Sequence, residues 1–454
     1  MPRIGIGIGL GRTFYAGSFA DAYNTRVLAD GGTIEATPCV NAASTLLQSA
    51  SLLLIPSGYK SGVAYSQLPN NGNGDLTWTR TSTANRTNSS GLIESVASGV
   101  PRLSYMYGSC PALLLEPQRT NLATYSNDFT DASWVKSFTS ITGNTTTSPN
   151  GETNAHTFTA DGTVASHTLQ KALSLTSGTT YSISIFAKKG TNNFIQLTAS
   201  AALFGTNFYA NYDLNNGVLG NVGSSATATI VSLSNGWYRC TITGVAIATI
   251  LSNIAATIIS SSTSTRLESN SLSTSVFIYG AQLEAGSFPT TYIPTTSATA
   301  TRVADSFSRN NIYTNGLITS SGGTWYVELK NNVAYLRDNA NECLGIGDTS
   351  SLGTNSLLIR NAGGTSRLSV QKRVASATTN LFTTTTDTVK IAIKWNGTSA
   401  DIFVNGVKQV SATAFTTTIM EFLAASGTQV PAFIQTMALY PTPLSDADCV
   451  SLTT

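Results

Sequence analysis

The sequence predicts a mainly β protein: two β-sandwich (jelly-roll) domains after a small, partly helical N-terminal region. Three observations carry that prediction. Charged residues make up 11% of the 454-residue chain, less than half of the ~25% usual in soluble domains, and Ser, Thr, Asn and Gly take their place. Hydrophobic residues stay at 41%, enough to bury sizeable cores. Apolar side chains recur at every second position in short runs, separated by turns that use many of the 38 glycines; this is the pattern of half-buried strands. The net charge of +2, without basic clusters, excludes a protein that tracks a nucleic-acid backbone. No apolar run reaches the ~20 residues of a membrane helix, so no membrane insertion is expected.

The chain opens with Ile4, Ile6, Ile8 and Leu10 alternating with Gly5, Gly7, Gly9 and Gly11. In an extended segment this sets apolar side chains on one face and bare backbone on the other. The bare face admits a second backbone closely, which suits a peg that anchors in a partner; an edge strand of the same chain is the alternative. The glycines also argue against a secretory leader, whose apolar stretch is continuous. Phe19, Ala22, Tyr23 and Val27 then recur at helical spacing, Gly31 and Gly32 interrupt, and residues 42–54 resume the pattern, predicting two short helices. A polar turn at residues 68–75 closes an N-terminal anchoring region, residues 1–74, and residues 75–120 form a connector.

Residues 121–297 form the first sandwich. Tyr181, Ile183 and Ile185 share a face with serines opposite; Tyr238, Cys240 and Ile242 repeat the alternation, and residues 277–283 supply a closing strand. Residues 298–454 form the second. Trp325, Val327 and Leu329 alternate with Tyr326, Glu328 and Lys330, and Val389, Ile391, Ile393 and Trp395 alternate with Lys390, Ala392 and Lys394. Asn396-Gly397 and Asn405-Gly406 predict hairpin turns, because Asn-Gly tolerates positive φ at both centre positions. Ser445, three residues before Asp448, opens a short terminal helix.

Candidate chemistry is sparse. Cys39, Cys110, Cys240, Cys343 and Cys449 are widely spaced and odd in number, so neither a disulfide framework nor a metal site is expected. A reducing site of assembly follows, with Cys240 a buried thiol. His156 and His167 are expected on the surface or in loops. Glu284, Glu328, Asp338 and Glu342 are the carboxylates from which a glycosidase pair would be drawn; acids scattered over sheets are the plainer reading, and no enzyme is expected. No cofactor is expected either. Calcium on a loop holding Asp338, Glu342 and Asp348 is an option, with solvated side chains the alternative. Sugars are held by aromatic platforms with amide and hydroxyl hydrogen bonds. Trp134 and Trp325 are the glycan-binding candidates, while Trp237 and Trp395 are assigned to cores.

Three ordered stretches add a resemblance. The first runs from residues 74–80 (Gly-Asp-Leu-Thr-Trp-Thr-Arg) through residues 88–94 and 100–102 to residues 113–122 (Leu-Leu-Leu-Glu-Pro-Gln-Arg-Thr-Asn-Leu). The second joins residues 125–129, Trp134, residues 184–188, residues 235–239, residues 279–286 (Tyr-Gly-Ala-Gln-Leu-Glu-Ala-Gly) and residues 292–294. The third joins residues 389–404 to residues 437–446. In this order they resemble virion proteins of tailed bacteriophages. The second is similar to the carbohydrate-binding-module-like jelly roll of phage fibres and spikes, and the third to a laminin-G or concanavalin-like lectin domain. The resemblance implies a structural component of a virion, a head or tail fibre or spike, trimeric, displayed on the particle surface toward host glycans. Ile4, Gly5, Ile6, Gly7, Ile8, Gly9 and Leu10 would then anchor it to capsid, portal, collar or tail proteins. A capsid or collar decoration protein that stabilises the particle, and a host-glycan depolymerase, are the alternatives.

Overall fold

The computed structural model describes residues 12–14, 18–41, 45–330, 342–350, 352–361, 368–386, 388–415, 419–426 and 432–454. The proposed anchor, Ile4 to Leu10, lies outside the described residues. The chain is mainly β and forms two compact units, one from Met1–Thr81, Val96–Pro117 and Ala304–Thr454, the other from Ser82–Ser95 and Gln118–Val303. Both expected sandwiches are present, but the linear partition into residues 1–74, 75–120, 121–297 and 298–454 is corrected. The N-terminal region and the connector supply strands to the C-terminal sandwich, and the middle unit is inserted within it.

In the discontinuous unit an eight-stranded sheet runs Arg102–Ser104, Ala112–Leu115, Ala432–Tyr440, Gly323–Lys330, Thr388–Trp395, Ser399–Val404, Val407–Ala414, with Leu52–Leu54 also on Ala432–Tyr440. A ten-stranded sheet includes Val63–Ala64, Leu76–Thr79, Ser306–Asn310, Phe422–Ser426 and Glu342–Gly347. Trp325, Val327, Leu329, Val389, Ile391, Ile393 and Trp395 pack with Leu52, Leu76, Trp78, Leu113 and Ile346 in one core. The alternation legible in strands 323–330 and 388–395 therefore points as expected. Two helices fall where predicted, Ser18–Ala29 and Thr45–Gln48. The terminal helix Asp446–Thr453 has Ser445 as N-cap, its hydroxyl accepting from the Asp448 N–H.

Three segments of the first stretch quoted for the phage resemblance meet Asp305, which lies outside it, in a buried ionic cluster. Arg80 Nη1 lies 3.0 Å from Asp305 Oδ1, Arg102 Nη1 lies 2.7 Å from Glu116 Oε2, and Arg102 Nη2 also bonds Asp305. Asp305 and Glu116 exchange backbone bonds as well: the Glu116 N–H donates to Asp305 Oδ2 and the Asp305 N–H to the Glu116 carbonyl.

One cysteine expectation is overturned. Cys39 and Cys110 form a disulfide, with Cα atoms 5.8 Å apart across 71 residues of sequence. Cysteine spacing hid the pair because folding, not sequence proximity, brings the two together. Cys240 is a free, buried thiol, as expected, and burial pushes its pKa far up.

The inserted unit is a sandwich of two six-stranded antiparallel sheets. One runs Trp134–Ser137, His167–Leu175, Ile250–Ile258, Phe194–Ala199, Tyr209–Asp213, Val218–Val222; the other runs Thr139–Thr147, Thr153–Ala160, Ser275–Ala285, Thr180–Lys189, Trp237–Val245, Thr227–Ser232. Ile183, Ile185, Leu169, Leu197, Tyr212, Cys240, Ile242 and Ile254 fill the space between them. The second sheet is covered outside too. Phe186, Trp237, Tyr279 and Tyr292 make a small aromatic core there, which is why Ser182 and Ser184, on the polar side of their strand, are also buried.

Candidate functional site

Each sheet of the inserted unit has an outer face, and the sequence decides what becomes of it. On the second sheet the stretch quoted from residues 279–286 serves the fold. Gln282 donates to Glu284 and to the Thr290 carbonyl and accepts from the Ile293 N–H. Glu284 accepts from the Thr290 N–H at 2.8 Å. Asn121 donates to the Ala281 and Ile293 carbonyls and accepts from the Leu283 N–H. These amides and the carboxylate clamp a backbone arm, so they are occupied.

The first sheet is different. Gln170, Ala255, Thr198 and Tyr209 stand directly opposite one another across four neighbouring strands. Leu169, Ile254, Ala256, Leu197 and Ala210 point into the core, so this row points outward. The parallel row Thr168, Thr257, Gln196 and Asn211 is buried beneath a strap, residues 259–274. Gln196 Nε2 donates to the Thr265 carbonyl at 3.0 Å and its Oε1 accepts from the Leu267 N–H at 2.8 Å. Asn211 Nδ2 donates to the carbonyls of Ser262 and Ser264 at 3.1 and 2.8 Å. Gly220 lets the strap close in, since a Cβ there would collide with the Ser262 carbonyl oxygen.

Fastened this way, the strap delivers Arg266 to the border of the open row. Arg266 Nε donates to Thr198 Oγ1 at 3.0 Å and Nη2 to the Ala199 carbonyl at 2.6 Å. Burial lowers its pKa, yet it remains cationic at neutral pH. Beyond it Asn253 Nδ2 donates to Gln170 Oε1 at 2.9 Å, and Gln170 Nε2 to Thr168 Oγ1 at 2.7 Å, which fixes the orientation of both amides. Tyr209, Arg266, Asn253 and Gln170 are all partly exposed, Thr198 against Arg266 is buried, and Leu251, 71% exposed, continues the face along its strand. An aromatic ring, two oriented amides and a guanidinium on an open sheet face can grip a polar, hydroxyl-bearing ligand with apolar ring faces.

The predicted sugar platforms are elsewhere and are corrected. Trp134 is 4% exposed; it meets Phe129 edge-on at 5.1 Å, carries the Lys171 ammonium 5.3 Å from its ring centroid and donates to the Tyr125 carbonyl. Trp325 is fully buried in the core of the discontinuous unit. Neither ring offers a face to a sugar, because both sit on the inward side of their strands. Trp237 and Trp395 are core residues, as assigned. The histidines are corrected as well: both are buried on strands. His167 has a carbonyl near each ring nitrogen, Phe138 at 2.7 Å and Asn270 at 3.1 Å. His156 packs edge-on against Phe129, and burial lowers its pKa, leaving it neutral.

Of the carboxylates considered for calcium, Asp348 is held by Asn355 through backbone and side-chain bonds. Asp338 and the Glu342 side chain lie outside the described residues. Among the described residues no three His, Cys, Asp or Glu side chains gather as a metal site, and no helix is long and apolar enough to cross a membrane.

Sequence reasoning missed Tyr209, Arg266, Asn253 and Gln170. A signal was present: the chain carries no charged residue between Arg239 and Arg266, and the polar strand positions there hold hydroxyls and the amide Asn253.

No protein-family model and no curated protein matches the chain. Among solved structures it is similar to the CBM40 module of Ruminococcus gnavus IT-sialidase bound to α2,3-sialyllactose, at 18% identity and TM-score 0.23, over 30% of this chain and 83% of that one. It is also similar to domain 4 of AbnA, a GH43 extracellular arabinanase of Geobacillus stearothermophilus, in complex with arabinotriose, at 14% identity and TM-score 0.26, over 36% of this chain and 81% of that one. Trypanosoma rangeli sialidase in complex with sialic acid overlaps 83% of this chain and 60% of its own at 8% identity and TM-score 0.24.

Proposed function

We propose that the chain is a non-enzymatic structural component of a bacteriophage virion, a head or tail fibre or spike, whose inserted jelly roll binds host-surface glycans. The observation that carries the glycan reading is the partly exposed outer face that presents Tyr209, Arg266, Asn253 and Gln170. It combines an aromatic ring with oriented donors and acceptors on a sheet face, and in the parallel row Gln196 and Asn211 are spent on the strap. The virion role is supported by the order of the three sequence stretches that resemble phage proteins. The adhesive, non-catalytic role is supported by Glu284, whose carboxylate binds the Thr290 backbone, and by Glu328, buried in its strand opposite Lys390 and Thr436.

A shallow face of this kind binds a single sugar weakly, and a symmetric trimer would multiply it without new contacts. The test has two arms. The full chain, printed on a glycan array, binds a defined subset of sugars, and Tyr209→Ala reduces that binding at least tenfold with an unchanged melting curve. Antibody against the chain labels the surface of intact particles. Array binding indifferent to Tyr209 removes the site; unlabelled particles remove the virion role.

A further inference from the structure

Arg266 differs from the other groups on the open face. The chain around it is short of charge: residues 240–265 carry no Asp, Glu, Lys or Arg, and neither do residues 190–212, which include Thr198 and Tyr209. The nearest acid along the strap, Glu268, is turned to other partners, accepting from the Ser260 N–H at 2.8 Å, the Ser260 hydroxyl at 2.7 Å and the Asn270 amide at 3.2 Å. No carboxylate among the described residues pairs with Arg266. Its donors are divided by geometry. Nε and Nη2 form one edge of the guanidinium, and that edge is committed to Thr198 Oγ1 and the Ala199 carbonyl. Nη1 and the second Nη2 hydrogen form the other edge, a planar two-donor fork of the kind that matches a carboxylate. A half-buried cation held rigid by two bonds, without a counter-ion, is a preorganised anion reader.

We infer that the glycan bound on this face is acidic, and that the Nη1–Nη2 edge of Arg266 receives a sugar carboxylate while Tyr209 packs against the ring and Asn253 and Gln170 bond its hydroxyls. This inference rests on the glycan reading above and narrows it to uronic or sialic acid-bearing oligosaccharides. Four bonds between the strap and the side chains of Gln196 and Asn211 hold the reader against the row, so the specificity is built into the fold.

The experiment compares matched ligands on the full chain by titration calorimetry or array dose–response: 3′-sialyllactose and trigalacturonate, each against its methyl ester, with lactose 3-sulfate as a second anion. The free acid of at least one pair binds ten- to a hundredfold more tightly than its ester, the range expected for a charge-assisted pair, and the preference shrinks as salt is raised from 0.05 to 0.5 M. Arg266→Gln abolishes the preference, and Arg266→Lys, which keeps the charge without the fork, retains only part of it. The wild-type acid-to-ester ratio does not depend on any variant folding. Equal affinity for acid and ester, with Tyr209-dependent binding of neutral glycans intact, overturns the acidic assignment and leaves the glycan reading standing. Tighter binding of the sulfate than of either carboxylate also overturns it. If no glycan binds in a Tyr209-dependent way, the underlying reading fails instead.

Discussion

Arg102 is fully buried and joins two carboxylates at once, Glu116 and Asp305. Burial alone would depress its pKa, but the two acids outweigh that and raise it, so Arg102 stays cationic. Removing one partner strands a charge without water. Asp305→Ala is therefore expected to cost about 3–5 kcal/mol, read as a fall in the urea midpoint of the discontinuous unit; a change below 1 kcal/mol would show that the cluster is relaxed by solvent. The residues were visible in the sequence, since Arg80, Arg102 and Glu116 all fall in the first quoted stretch, but their purpose was not. Arg102 lies 14 residues from Glu116 and 203 from Asp305, and no periodicity signals such a pairing. The tryptophans misled for a related reason: a large aromatic on an alternating strand serves a core and a sugar equally well in one dimension. Arg266 was overlooked for lack of a motif, although its isolation from other charges was readable.

Elements defined by local chemistry were the most legible. At Asn405-Gly406 both residues take positive φ, 47° and 79°, as an Asn-Gly hairpin requires. At Asn396-Gly397 only Gly397 does, at 83°; there the Asn396 side chain organises the turn by accepting from the Thr398 and Ser399 N–H groups. The terminal helix was likewise announced by Ser445, but its docking was not. Asp446 bonds both Lys394 and Lys408, the latter at 2.9 Å, and these bonds lower its pKa. A carboxylate whose folded pKa lies below the unfolded one adds stability above the unfolded value, roughly pH 4, and loses it as pH falls through the folded value. Wild type should thus melt above Asp446→Asn at pH 7, by a margin worth less than about 1 kcal/mol because the pair is largely exposed, and the two melting curves should converge toward pH 2. A gap that persists undiminished at low pH would assign the effect to a charge-independent cause and not to the ion pairs.

For the molecule as a whole the informative feature is the insertion. Sequence patterning identified two sandwiches correctly, because alternation is local, but placed the boundary at residue 298, because strand pairing is not. Ala432–Tyr440 is buried along its whole length and pairs with Gly323–Lys330 on one side and with Leu52–Leu54 and Ala112–Leu115 on the other. Ser306–Asn310 likewise pairs with Leu76–Thr79. A fragment of residues 298–454 keeps the alternating strands but loses these partners, along with core residues Leu52, Leu54, Leu76, Trp78 and Leu113. It also exposes an apolar strand with an open edge, which is a template for aggregation. Expressed alone, that fragment should be insoluble, and co-expression with residues 1–117 should recover a soluble species that co-elutes on size exclusion and melts cooperatively. The Cys39–Cys110 disulfide lies wholly within the added piece, so reductant should weaken the reconstituted species without dissociating its two segments. A monomeric, cooperatively melting 298–454 fragment would mean that the C-terminal strands close a core without the N-terminal ones. Residues 1–74 would then be free to serve as the separate anchor that the linear reading assigned to them.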